Sequence, residues 1–217
     1  MKWKPKQLIM EKREVMSSQE IFWSGEFGNS YIKRNDSFEW VRNNVVFFSQ
    51  VFRNLNIDPK SILEIGANIG LNLEALSFLF PNAVLDAVEV NEKACKVLME
   101  KNVNTYNVPF SKFETSKEYD LVLSKGVLIH MNPEQLTDTY LKMAKLSKKW
   151  IVIAEYFNPV PESIEYRGHK DKLFKRDFAG EFLKINDNWE IQDYGFSYRK
   201  ALFPQDDLTW FLLRKKI

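Results

Sequence analysis

The twelve residues from Ser61 to Asn72 constrain this chain more than any others. They read Ser-Ile-Leu-Glu-Ile-Gly-Ala-Asn-Ile-Gly-Leu-Asn. Ile62, Leu63 and Ile65 form a short apolar run, the pattern of a strand buried on both faces. Leu71, Leu73, Leu76 and Leu79 then recur at helical spacing. Between the two runs, Gly66 and Gly70 carry no Cβ and let backbone approach a ligand closely, while Asn68 tolerates positive φ. A strand, a tight turn and a helix are therefore expected. A ligand lying across the turn would meet free N–H groups at a helix N-terminus.

The rest of the chain repeats the same alternation. Phe38, Val41, Val45, Phe48, Phe52 and Leu55 mark a helix over 38–55. Val84 to Val90 reads as a second strand, followed by a helix from 93 that Asn91-Glu92 caps. A weak third strand lies near 106–110, a fourth over 119–124 and a fifth over 150–156. Asn132-Pro133-Glu134-Gln135 is a helix start, with an Asn cap and Pro at the first position. Residues 189–196 and 208–214 read as a closing hairpin. The expected fold is α/β: a doubly wound, mostly parallel seven-stranded sheet with a C-terminal antiparallel hairpin. The expected division is an N-terminal helical segment over 1–37, which begins with a capping box at Ser17 to Glu20, and a main domain over 38–217.

Composition narrows the function. The 217 residues carry a net charge of only +2, with acids and bases interspersed, so no nucleic-acid partner is announced. The single cysteine, Cys95, sits among Ala94, Val97 and Leu98 and reads as a helix residue. It rules out an intrachain disulfide and suits a reducing cytoplasm. The basic start Met1 to Lys6 is not followed by an apolar leader core, and no run approaches the ~18 apolar residues of a membrane span. The expected protein is cytoplasmic, off the membrane, and a monomer or homodimer. Asn35-Asp36-Ser37 fits a glycosylation pattern, discounted without a secretory signal.

Position along the sheet selects the candidate residues, because ligands of open α/β sheets bind at the carboxyl ends of the strands. Glu89 nears the end of the second strand, where a carboxylate can accept both hydroxyls of a ribose. His130 lies just before a helix at the same end. Glu155, Tyr156 and Asn158 end the fifth strand, a candidate wall for a second substrate. The stretch Glu165 to Asp177 is dense in charges and aromatics and reads as either a solvated loop or a basic loop beside a site. Arg167 within it could grip a carboxylate or phosphate bidentately. Trp23, Phe27 and Tyr31, spaced by Gly25 and Gly28 and followed by Arg34 and Asn35, suggest a segment that folds over something.

Glu64-x-Gly66-x-Asn68-x-Gly70 resembles the first motif of class I S-adenosylmethionine-dependent methyltransferases, with Asn68 in place of the middle glycine. The strings FWSGEFGNSYIKRN, LEIGANIGLNL, YDLVLSKGVLIHM, AEYFNPVP, EYRGHKDKLFKRDFAGE and PQDDLTWFLL, in this order, resemble the pseudaminic acid biosynthesis-associated methylase family over about residues 20–214. That resemblance implies S-adenosylmethionine as cofactor, S-adenosylhomocysteine as product, and an acceptor in bacterial surface glycan biosynthesis. The acceptor would be a sugar or nonulosonic-acid-type molecule, anionic if Arg167 grips it, methylated on oxygen or nitrogen. By the same resemblance Tyr31, Arg34 and Asn35 cover the cofactor. Glu64, Gly66, Asn68 and Gly70 hold its methionine end and Glu89 its ribose, with Ser124 and Lys125 on the cofactor side.

Methyl transfer asks the protein to align the acceptor and remove its proton where needed. His130, Tyr156 and His169 are the base candidates in that order, and no metal is expected. Other readings are less well served. A nicotinamide oxidoreductase needs Gly-x-Gly-x-x-Gly, where Asn68 and Leu71 stand instead. A nucleic-acid methyltransferase would show [Asp/Asn]-Pro-Pro-aromatic after the fourth strand, where Ser124-Lys125-Gly126-Val127 stands. A methyltransferase acting on another small polar metabolite and a non-catalytic cofactor-binding protein remain open.

Overall fold

The computed structural model describes residues 16–35 and 37–216. Met1 to Lys6, Asp36 and the side chain of Asn35 lie outside the described residues. Three helices come first: α1 (Ser18–Ser24), α2 (Glu26–Asn35) and α3 (Phe38–Val51). Then β1 (Ser61–Ile65), α4 (Leu71–Leu79), β2 (Val84–Val88), α5 (Glu92–Glu100), β3 (Asn104–Tyr106) and β4 (Tyr119–Lys125) alternate. They are followed by α6 (Leu136–Leu146), β5 (Ser147–Glu155), β6 (Glu162–Tyr166), β7 (His169–Lys175), α7 (Phe178–Ile185), β8 (Trp189–Ser197) and β9 (Leu208–Lys215).

Seven strands form one sheet in the order β3-β2-β1-β4-β5-β9-β8. The first five run parallel, and β9 inserts antiparallel between β5 and β8. Two apolar layers follow from the two-residue period of the strands. Ile62, Leu121, Leu123 and Val152 face α3 and α4 with Phe47, Phe48 and Leu76. Leu63, Ile65, Val122 and Ile151 face α6 and α7 with Tyr140, Met143 and Phe182. Glu64, Asp86 and Glu155 are carboxylates buried in these strands, at 1%, 0% and 2% exposure, and each needs partners that the apolar layers do not supply.

The expected elements are present, with three differences. The helix of 38–55 stops at Val51, and Phe38 is exposed because it precedes the buried face. The third strand is confined to Asn104–Tyr106, since Pro109 opens a short 3-10 turn at Phe110–Lys112. The charged stretch 165–177 is not a loop. It forms the β6–β7 hairpin, which pairs Tyr166 with His169 across a two-residue turn. Arg167 and Gly168 hold that turn at φ 51° and 82°, both left-handed as a type I′ turn requires.

The capping box at Ser17 forms as expected: its Oγ accepts the Glu20 N–H, and Glu20 returns to the Ser17 N–H. No helix among the described residues is long and apolar enough to cross a membrane.

Candidate active site

A cavity of about 280 Å³ opens at the carboxyl ends of the parallel strands. The turn after β1 forms its floor, and Trp23 and Tyr31 of the N-terminal helices lie across it. Tyr31, Gly66, Asn68, Glu89, Lys125, His130 and Tyr156 all line this one space. Seven positions picked from separate stretches of sequence are thus brought together.

The turn adopts the backbone that its residues permit. Gly66, Asn68 and Gly70 have φ of 63°, 47° and 78°. The Gly66 N–H donates to the Val88 carbonyl at 2.8 Å, which ties the turn to β2. The glycines are needed against protein as much as against ligand. A Cβ on Gly66 would come within 2.8 Å of Val127 Cγ2, and one on Gly70 within 2.6 Å of Leu98 Cδ2. Gly70 does not line the cavity; it starts α4. Gly66→Val is therefore expected to lower stability by about 2 kcal/mol or more through strain and overpacking. Urea denaturation measures this, and a midpoint equal to wild type would show that the turn absorbs a side chain.

Glu89 clasps the turn from the neighbouring strand. Its Oε2 accepts the Asn68 N–H and its Oε1 the Asn91 N–H, each at 2.7 Å. Burial raises its pKa, opposed by these backbone bonds. A carboxylate offers about four acceptor positions, so capacity remains for a ligand.

Glu64 lies beneath the turn rather than in the cavity wall. Its Oε1 accepts Asn72 Nδ2 at 2.6 Å. Its Oε2 and Asn72 Oδ1 are buried acceptors with no partner among the described residues. Burial lifts its pKa to about 8, partly offset by Asn72 and Lys125. Asn72 does face the cavity. An ammonium group placed in the cavity against Asn72 would supply a donor to its Oδ1, and its charge would favour the ionised Glu64 carboxylate behind it.

Lys125 is half-buried at the end of β4. It donates to Asn44 Oδ1 at 3.3 Å and sits 5.5 Å from the centre of the Phe47 ring. Burial lowers its pKa, while the charges of Glu64, Asp206 and Glu155 oppose that.

His130 stands between two rings, 4.6 Å from Trp23 and 5.0 Å from Tyr166. Its Nδ1 is 2.6 Å from the Lys172 carbonyl, an acceptor, so Nδ1 carries the proton and Nε2 keeps its lone pair. Burial lowers its pKa to about 4, against the effect of that bond.

Tyr156 is held protonated, first by burial and then by the charge of Asp206, to which its hydroxyl donates. It is therefore a hydrogen-bond donor rather than a base at neutral pH. Tyr31 is pushed up to about 12, chiefly by burial.

Several expected contacts are not made with the cavity. Glu155 points away from it and under the loop after β4, accepting Ser124 Oγ and the N–H groups of Val127, Leu128 and Ile129. Ser124 is spent on that bond and is fully buried. Asn158 bonds Glu162. Arg167 is exposed at the hairpin turn and lies over Tyr166. His169, also exposed, packs on the outer side of Phe22 and Phe27. Arg34 is exposed over the rings of Phe27 and Tyr31.

Other lining residues were missed. Asp206 and Gln205 enter from the loop before β9, and Tyr166 from the hairpin. The signal for Asp206 was the polar string Pro204-Gln205-Asp206-Asp207 between two strands. Its place beside Tyr156 arises because β9 inserts next to β5.

No family model matches the chain, and no curated protein sequence matches it. Solved structures do. The plantazolicin methyltransferase BpumL in complex with S-adenosylhomocysteine is 19% identical with a TM-score of 0.64, over 92% of this chain and 95% of that one. Magnesium protoporphyrin IX methyltransferase from Synechocystis PCC 6803 with bound S-adenosylmethionine is 10% identical with a TM-score of 0.67, over 94% and 100%. The 1,6-didemethyltoxoflavin-N1-methyltransferase of Burkholderia thailandensis is 15% identical with a TM-score of 0.62, over 92% and 87%. At these identities the likeness shows the fold, which is that of class I methyltransferases.

Proposed function

We propose that this protein is an S-adenosylmethionine-dependent methyltransferase acting on a small polar acceptor. The observation that carries the reading is Glu89. It is a buried carboxylate at the end of β2, fixed against the glycine turn and facing the cavity. The cofactor fits the groups present. Glu89 would hold the ribose hydroxyls, and Asn72, backed by Glu64 and with its Oδ1 unpartnered among the described residues, the ammonium of the methionine end. When bound, the sulfonium supplies an activated methyl group. In this reading residues 16–35 cover the cofactor, with Trp23 and Tyr31 closing the cavity.

The acceptor would lie between Tyr31, Tyr156, Tyr166 and Asp206 on the far side of Lys125. Aromatic rings beside a carboxylate suit a molecule rich in hydroxyl or amino groups. The resemblance to sugar-pathway methylases points to a sugar or nonulosonic acid. Arg167 does not reach the cavity, so its anion grip is not part of the proposal, and among the described residues Lys125 is the lysine or arginine that lines it. A cavity closed over by helices suits a small molecule rather than a nucleic acid.

His130 remains the base candidate, because Nε2 keeps a lone pair and the ring is locked by Lys172, Trp23 and Tyr166. Asp206, steadied by Tyr156, would hold the acceptor. His130→Asn is expected to lower turnover by roughly 10²–10⁴, and Asp206→Asn to raise KM, both with unchanged S-adenosylhomocysteine affinity. A base must be unprotonated, so activity should persist down to about pH 5 and fall near pH 4, not near 6.5. Turnover against nucleotide-activated sugars and free nonulosonic acids tests this. Wild-type kinetics in both variants on an accepted substrate would place the acceptor elsewhere.

A further inference from the structure

We infer that Glu20, on the N-terminal helix α1, reads the adenine base of the cofactor by accepting its exocyclic amino group. The inference rests on the cofactor site proposed above. The sheet order places β1, β2 and β3 side by side. The glycine turn follows β1, and Glu89 stands just past the end of β2. A nucleoside with its ribose on Glu89 therefore extends its base toward the segment after β3. There Val90, Val108 and Phe110 give the cavity apolar walls that suit a flat ring.

That segment, Asn107 to Phe113, contains no acid that could recognise an amino group. The structure brings one from 91 residues away. Glu20 lines the cavity, and its Oε1 accepts Ser111 Oγ at 2.7 Å. Its Oε2 accepts the Ser17 N–H at 2.7 Å, and the Glu20 N–H donates to Ser17 Oγ at 3.2 Å. The capping box thus holds the carboxylate from behind while Ser111 holds it from the base side. Two of its acceptor positions are filled and the others remain for a ligand. An amino group would donate to them. A carbonyl at the same ring position would face them lone pair to lone pair.

Capping and recognition by one carboxylate also explain why a short N-terminal helix sits at the cavity rim. The base would complete a link between α1 and the body of the fold.

The test compares S-adenosylhomocysteine with S-inosylhomocysteine, in which oxygen replaces the amino group, by calorimetry on the full chain. Wild type is expected to prefer the adenine compound by about 10- to 100-fold, the scale of a hydrogen bond to a charged group. E20Q preserves the capping box, since glutamine serves at that position. With its oxygen on the Ser17 N–H, the amide turns its NH2 toward the base and cannot accept there, so the preference should fall below about threefold or reverse. S17A removes the cap but leaves the carboxylate, and should keep the wild-type preference even if both affinities drop. Equal binding of the two compounds by wild type overturns the inference. So does an unchanged ratio in E20Q, or an S17A ratio that collapses as in E20Q, which would assign Glu20 to capping alone. A folded wild type that binds neither compound overturns the cofactor site, and this inference with it.

Discussion

Glu89→Ala is expected to weaken S-adenosylhomocysteine binding at least about 100-fold, because it removes the proposed acceptor of both ribose hydroxyls and each such bond to a carboxylate contributes about 1.5–3 kcal/mol. The same change should reduce stability. Glu89 accepts the N–H groups of Asn68 and Asn91 at 2.7 Å, and both would lose their partner. Leaving a buried donor unsatisfied costs about 1–3 kcal/mol. The effect should spread, since Asn91 caps α5 through Lys93 and Ala94 and also donates to the Trp23 carbonyl and to Asn29. Loosening Asn91 therefore loosens the N-terminal cover. Glu89→Gln keeps the volume and one acceptor oxygen, so it should fold better than Glu89→Ala and still bind weakly. Calorimetry and urea denaturation separate the two effects. Binding within a few-fold of wild type in Glu89→Ala would remove Glu89 from the site.

Glu155→Ala is expected to destabilise the fold by about 3 kcal/mol or more, because it strips the acceptor from several buried donors and each one left unsatisfied costs about 1–3 kcal/mol. Four donors converge on this carboxylate: Ser124 Oγ at 2.8 Å and the N–H groups of Val127, Leu128 and Ile129 at 3.1, 3.1 and 3.4 Å. These bonds fix the loop that carries Lys125 to His130, so activity should fall with stability. Burial outweighs the four donors and lifts the Glu155 pKa to about 7 from an ordinary 4.5. A raised folded-state pKa means that the folded state holds the proton longer. The contribution is thus complete below about pH 4.5 and lost as pH rises through about 7. Glu155→Gln cannot titrate and should flatten this part of the stability profile. Denaturation midpoints from pH 4.5 to 8 check it; parallel profiles for wild type and Glu155→Gln would contradict the assignment.

The difference between Glu89 and Glu155 shows what local sequence conveys. Both are acids at the carboxyl end of a strand, and both were expected to face a ligand. Glu155 shares its strand face with Ile151 and Ile153, which pack toward α6 and α7. Its parity along β5 aims it under the loop, and only its neighbour Tyr156 reaches the cavity. That parity was present in the sequence. The glycine turn was legible because its chemistry is local: Asn68 was expected to tolerate positive φ and adopts 47°. The β6–β7 hairpin was not, because its strands are largely exposed and show no apolar alternation around the Arg167-Gly168 turn. The polar string that holds Asp206 was visible, but its place in the site was not. Its loop carries no periodicity, and its position depends on β9 pairing with β5, a long-range choice of strand order.

The central claim is that the cavity floored by Gly66, Asn68 and Glu89 binds S-adenosylmethionine. A calorimetric titration of the full chain with S-adenosylhomocysteine, run beside one with NAD, tests it most directly. Saturable one-to-one binding of S-adenosylhomocysteine, lost in Glu89→Ala, is expected, with no heat of binding from NAD. Saturable binding of NAD, or a folded wild-type protein that does not bind S-adenosylhomocysteine, would contradict it.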